Sequence, residues 1–223
     1  MAGEPAVTGE RTRIITGIEA QRGHRKRLNI FLDNKYAFSI DPLVAEKYSL
    51  HVGIELDPAR LKILRDKDQE VRAYAAALLL LKFRKRGKRE LEKRLGDRGF
   101  EEVVVSNVIH RLEVENLVDD VEFVKFWQEN RQAFNPKGKR FLDMELKRAG
   151  IDSEIIEAGI KDVNEEDGAY RSGRKKLRIW SGLEYLDFKR KMGAYLARRG
   201  YPWDIIGETI KKLWEESSEF KAK

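Results

Sequence analysis

Cysteine is absent from the 223 residues, which removes disulfides, thiolate nucleophiles and cysteine-held metals together. Histidine is nearly absent: His24, His51 and His110 stand apart and share no ligand spacing with acidic residues, so no metal or other cofactor is expected. No serine or threonine occupies a nucleophile elbow, and nothing in the chain asks for an enzymatic reading. The longest uncharged apolar run, Ala73 to Leu81, has nine residues, whereas a membrane helix needs about 20. No membrane partner is expected. No basic segment followed by an apolar stretch opens the chain, so no signal peptide is expected and the cytoplasm is the expected location. Residues 1 to about 11 are small and polar and are expected to be disordered.

Charge is abundant instead. Charged residues make up 37% and apolar ones 41%, with a net charge of +7 and a pI near 9.4. The excess favours an acidic partner without naming one. It is unevenly placed: residues 119–168 carry −5 and residues 169–223 carry +7.

Near the N-terminus the hydrophobic period is two. Ile14, Thr16 and Ile18 give a mixed strand signal. Leu28, Ile30 and Leu32, then Tyr36, Phe38 and Ile40, flank Asp33-Asn34-Lys35 and predict a β-hairpin. A hairpin alone is marginal in water, so the first strand or a helix must cover it. Asp41-Pro42 and Asp57-Pro58 are N-cap signals followed by proline. A short helix should follow the first and end before Gly53; from Asp57 onward the chain reads as helical.

An internal repeat dominates the remainder. Gly99, Gly150 and Gly200 are spaced 51 and 50 residues apart. Eight and four residues before them lie Leu91 and Leu95, Leu142 and Leu146, Met192 and Leu196. Directly after them come Phe100, Ile151 and Tyr201. Further apolar pairs follow in register, ending at Leu112, Val163 and Leu213. Apolar residues four apart share a helix face, and each glycine supplies the left-handed residue that ends the helix. Further helical segments lie upstream at about 69–86, 120–134 and 169–188. The fold class is thus mainly α: three tandem three-helix-bundle repeats behind a small hairpin or three-stranded β element. The expected boundaries are 1–66 for the β-containing segment, then 67–118, 119–168 and 169–223 for the repeats. Units of that size have thin cores and should stack on their neighbours.

Two basic runs stand out, Lys82 to Arg98 and Arg171 to Arg199. Clustering selects Arg84, Lys85, Arg86, Arg174, Lys175, Lys176, Lys189 and Arg190 as candidate contacts to DNA or to an acidic protein surface. The clusters at 84–86 and 174–176 are expected near loops. Asp119-Asp120 reads as a helix cap, with Glu122 completing a capping box. Gly168 to Lys175 has the glycines of a phosphate loop but no preceding strand and no lysine followed by Ser/Thr. Trp127, Trp180, Trp203 and Trp214 are assigned to the core.

The residues resemble the RecX family of recombination regulators. The resemblance runs from about Ile15 to Leu213. Its carriers are Lys88-Arg89-Glu90-Leu91 through Leu95-x-x-x-Gly99-Phe100, then Leu112, and Leu117-Val118-Asp119-Asp120 with Phe123 and Trp127. Leu142-x-x-x-Leu146-x-x-x-Gly150-Ile151 and Leu50-x-x-Gly53-x-x-Leu56 add to it. Val118 stands where the family has isoleucine, and Lys88 where a serine-like helix-start residue is usual. The resemblance implies an elongated, curved array of repeats that binds RecA and its filament on single-stranded DNA. It implies occupancy of the filament groove and modulation, usually inhibition, of ATP hydrolysis, strand exchange and co-protease activity. It places the chain in DNA repair, homologous recombination and the SOS response. The chain is expected to act as a monomer, with DNA as a further partner. The alternative is a stand-alone DNA-binding protein using its three-helix modules.

Overall fold

The computed structural model describes residues 11–21 and 27–221. The expectations for residues 1–10 and for His24 lie outside the described residues. Among the described residues there are four strands and ten helices. They divide into two compact units: residues 1–83 with 92–111, and residues 84–91 with 112–223.

The first unit holds the sheet. Strands β1 (Arg13–Ala20), β2 (Leu28–Leu32), β3 (Lys35–Ile40) and β4 (Glu55–Leu56) lie in the order β3-β2-β1-β4, with every pairing antiparallel. The hairpin is present, and the expected three-stranded element gains a fourth strand too short to show a period. Asp33 and Asn34 both have positive φ, 50° and 62°, as a two-residue turn between right-twisted strands requires. Thr16 is the extra residue where β1 bulges against β2. Its hydroxyl accepts the Asn34 N–H at 2.8 Å and faces the Phe31 carbonyl at 3.3 Å, so the bulge is tied to the turn.

Helix α1 (Pro42–Lys47) starts where Asp41 Oδ1 accepts the Leu43 N–H at 2.9 Å. Helix α2 (Pro58–Phe83) starts where Asp57 Oδ1 accepts the Arg60 N–H at 2.7 Å. Val44, Ala45, Leu61 and Leu64 cover Ile15, Ile30, Leu32, Phe38, Ile40 and Leu56. The sheet's marginal stability is thereby relieved by burial of one face. Asp68 of α2 is buried within this arrangement. It accepts the Asp41 N–H at 2.7 Å and pairs with Arg27 at 2.8 Å.

The repeats use α3 (Lys88–Gly96), α4 (Glu102–Val114), α5 (Asp120–Phe134), α6 (Lys139–Arg148), α7 (Ser153–Ile160), α8 (Glu165–Trp180), α9 (Tyr185–Ala197) and α10 (Trp203–Lys221). The three anchor glycines share one conformation, with φ of 84°, 83° and 85°. At each, the following residue's N–H returns to the carbonyl five residues earlier: Phe100 to Leu95, Ile151 to Leu146, Tyr201 to Leu196. These are three copies of one Schellman closure. Helix α8 ends at Trp180, short of the expected 188. Leu177, Trp180, Leu183 and Leu186 keep a helical spacing through Ser181–Glu184, where the chain breaks and restarts as α9. Leu186 is consequently 78% exposed. Trp203 also departs from the core assignment, at 72% exposed. Trp127, Trp180 and Trp214 are half-buried against their bundle cores.

Within the second unit, consecutive repeats meet through one recurring joint. Gly138, directly before α6, lies against the closing turn of the next repeat. A Cβ there would sit 2.3 Å from the Gly200 carbonyl oxygen, and its N–H donates to the Arg199 carbonyl at 3.0 Å. Gly87, one repeat earlier, packs on Ile151. The first residue of the helix two further along the chain then caps the helix that begins just after the glycine. Lys88 N–H donates to Asp120 Oδ1 and Lys139 N–H donates to Glu165 Oε1, both at 2.8 Å. Asp119 accepts the Val121 and Glu122 N–H groups, as its cap signal predicts. Asp120 is half of a different cap, for a helix 32 residues upstream.

Two expected outcomes follow from the joint. Gly138→Ala must displace backbone and should cost about 1–3 kcal/mol, whereas Gly96→Ala, which meets open space, should be neutral or stabilising. Urea midpoints of the two variants check this. For Asp120, burial pushes the carboxyl pKa up more than the Lys88 N–H pulls it down. A folded-state pKa above the unfolded one means that ionisation costs stability. Asp120→Asn keeps the acceptor and should match or exceed the wild type at neutral pH. Relative to that variant, the wild type should lose stability as pH rises from below 3.8 through the raised pKa. Asp120→Ala should lose about 1 kcal/mol at neutral pH for want of the cap.

Candidate docking surface

The eight candidate cations have unequal surroundings. Arg84, Lys85 and Arg86 occupy the connection between α2 and α3, as expected. Arg86 is only 8% exposed and shares Glu90 Oε1 with Arg84, whose Nη2 lies 2.7 Å from it. Its guanidinium is thus part of the folded interior and not of a surface patch. Lys85 is exposed and its Nζ lies 5.6 Å from the Phe126 ring centre.

Arg174, Lys175 and Lys176 lie in the interior of α8, not beside a loop. Consecutive helix positions point about 100° apart, so the trio separates. Lys176 is half-buried, 5.7 Å from the Tyr195 ring centre. Arg174 and Lys175 are exposed and line a cleft of about 370 Å³ with Arg171, Ala133 and Pro136. The cleft thus joins the connection between α5 and α6 to one face of α8. Lys189 and Arg190 are exposed on α9, and Arg190 pairs with Asp187 of its own helix at 2.8 Å. Arg171 was not among the candidates. The signal was available: Arg171, Arg174 and Lys175 stand at i, i+3 and i+4, one helix face, while adjacency in sequence selected residues on different faces.

The cleft wall is braced by polar contacts. Arg199 Nη1 donates to Asn135 Oδ1 at 2.6 Å and to the Pro136 carbonyl at 3.2 Å. Ser172 Oγ, buried, donates to the same carbonyl at 3.3 Å and lies 3.4 Å from the Tyr201 hydroxyl. Burial pushes the Tyr201 pKa up to about 12, so the phenol stays a neutral brace. Lys137 sits 3.9 Å from the Phe141 ring centre. Burial first, then the neighbouring Arg199 charge, holds its pKa below the usual lysine value. Gly168 to Lys175 is helix interior, not a phosphate-binding loop. No helix among the described residues is long and apolar enough to cross a membrane. Also among the described residues, no three His, Asp or Glu side chains converge as metal ligands.

Four family models match the chain in order. They are the regulatory protein RecX N-terminal domain at residues 13–57, and the first, second and third RecX three-helix domains at 73–112, 119–160 and 164–210. A regulatory protein RecX from Bacillus licheniformis is 30% identical over 92% of this chain and 79% of its own length. One from Bacillus subtilis is 31% identical over the same shares. A crystal structure of a regulatory protein RecX superposes with a TM-score of 0.68 at 25% identity, covering 90% of this chain and 99% of that one.

The division of the cations has a direct consequence for stability. Arg86→Ala removes a buried, paired guanidinium and its packing, leaving Glu90 to Arg84 alone, and should destabilise the chain by about 1–3 kcal/mol. Arg174→Ala should stay within about 0.5 kcal/mol of the wild type. Thermal and urea unfolding of the two variants, side by side, measures the contrast.

Proposed function

Since this chain belongs to the RecX family of regulatory proteins, we propose that it binds RecA and the RecA filament on single-stranded DNA and lowers its ATP hydrolysis, strand exchange and co-protease activity. The observation carrying this reading is the ordered match of all four family domains across residues 13–210. The protein works by occupancy: helical modules laid along the filament groove oppose the movements that accompany ATP turnover. It acts as a monomer in the bacterial cytoplasm, within DNA repair and the SOS response. Its working modules are residues 1–66, 67–118, 119–168 and 169–223. Arg84, Lys85, Arg174, Lys175, Lys176, Lys189 and Arg190 supply contacts to acidic RecA surface or to DNA. Arg86 is reserved for the fold by its burial against Glu90.

The test adds the full chain to preformed RecA filaments on single-stranded DNA and follows ATP turnover and filament length together. Turnover should fall as the chain saturates the filament. A triple charge reversal, Arg174→Glu with Lys175→Glu and Lys189→Glu, should require about tenfold more protein for the same effect at moderate salt. Unchanged turnover and length under saturating wild-type protein would refute the reading.

A further inference from the structure

The first unit holds a cavity of about 260 Å³, lined by residues of α1, α2 and α4. Buried Val44 and Val108 and half-buried Val71 give it an apolar lining. Leu43, which also lines it, is 68% exposed. A bare leucine beside buried valines is apolar surface that no described residue covers.

The polar groups around the opening favour one sign. Glu70 is the only carboxylate lining the cavity among the described residues. It accepts Lys67 Nζ through both oxygens, at 2.8 and 2.7 Å, and Asn107 Nδ2 at 3.0 Å. Its charge is thus answered within the fold. The Arg111 guanidinium lies 3.9 Å from the Tyr74 ring centre, and Lys47 is exposed in the last turn of α1. Lys47, Lys67 and Arg111 against Glu70 leave an excess of positive charge beside an apolar recess.

The volume falls below the roughly 300–1,000 Å³ that encloses a whole small ligand. It suits one large side chain inserted by a longer segment, as interface anchors are. A nucleic-acid strand would answer the cations and leave the valines unfilled. A basic segment would meet like charge. An acidic protein segment with one large apolar side chain satisfies both halves.

We propose that this cavity docks an acidic segment of a partner protein, which inserts one large apolar side chain against Val44, Val71 and Val108 and sets its carboxylates toward Lys47 and Arg111. This deepens the proposed function and rests on that reading for the regulated partner's being a protein. None of the cations named there lines the cavity. Opposite charge guides the encounter and the buried side chain holds it. Salt should therefore act on the first and filling of the cavity on the second.

The test is anisotropy of a short fluorescein-labelled peptide of glutamates around one phenylalanine, with the full chain and without RecA. A twin peptide carries alanine in place of the phenylalanine. The phenylalanine peptide should bind about tenfold or more tighter than its twin. Val71→Phe, which fills the cavity, should remove most of that advantage and leave the affinity of the alanine peptide unchanged. Leu43→Ala, at an exposed position that tolerates change, should cut the advantage about threefold. Lys47→Glu should weaken both peptides about fivefold at low salt and less at high salt. Thermal unfolding matched to the wild type confirms that each variant folds. Equal affinity for the two peptides overturns the proposal, as does an advantage that survives Val71→Phe and Leu43→Ala. It is also overturned if a second copy is the occupant, seen as wild-type dimers in sedimentation that Val71→Phe dissociates. No peptide binding by a chain that still inhibits RecA filaments would remove this inference and leave the proposed function standing. Peptide binding that Val71→Phe abolishes, in a chain without effect on RecA, would leave the docking site and remove the proposed function.

Discussion

The second unit depends on backbone meeting backbone at Gly138. Nothing larger than hydrogen fits against the Gly200 carbonyl, and the contact also satisfies the Gly138 N–H through Arg199. A bundle of three short helices has too little interior to be stable alone. Its neighbours must be held closely, and without lost hydrogen bonds. The joint meets both demands. The left-handed turn that ends one helix becomes the surface on which the preceding repeat rests. An acidic side chain that opens the helix two further along the chain then satisfies an N-terminal N–H of the helix after the glycine. Lys88 with Asp120, and Lys139 with Glu165, repeat that solution at the same distance.

This arrangement changes the meaning of the chain's charge. The net −5 of residues 119–168 looks like a segment built to face a cation. Much of it serves helix ends instead. Asp119 and Asp152 cap their own helices, Asp120 and Glu165 cap neighbouring ones, and Glu145 holds Arg131 and the Trp127 indole. The cations divide likewise. Arg86 is consumed by Glu90, Lys85, Lys137 and Lys176 lie near aromatic rings, and Arg190 pairs on its own helix. Exposed pairs of that last kind contribute about 0–1 kcal/mol and are screened by salt. Formal charge therefore overstates what a partner meets, and the cleft-facing cations on α8 matter more than the totals.

Features governed by local rules were legible in the sequence. The hairpin, the Asp41 and Asp119 caps and the three glycine closures each follow from residues within one turn of each other. The repeat was legible because the same apolar offsets recur around each glycine. The joint was not. Asp120 lies 30 residues before Gly150 and Glu165 lies 35 before Gly200, because the helices they begin lie at different distances from those turns. A search at constant offset cannot align the two acids, though their roles are the same. The early end of α8 was hidden for another reason. Leu183 and Leu186 prolong the apolar period past Gly182, so periodicity outvoted the breaker.

The candidate surface was only partly legible, and the reason is geometric. A run of adjacent cations on a helix is dispersed around its circumference, while cations three and four apart converge. Arg174 and Lys175 entered the list as neighbours of Lys176, yet the side chain that completes their face is Arg171. Pro136 could not be joined to them from sequence at all, because 35 residues separate it from Arg171. What brings them together is the joint itself. Gly138 fixes the end of the α5–α6 connection against the next repeat, and Ser172 and Arg199 fasten its Pro136 carbonyl. The same contacts that let two thin bundles stabilise each other thus set the α5–α6 connection against the cations of α8, so a substitution that loosens the joint would disturb the surface as well.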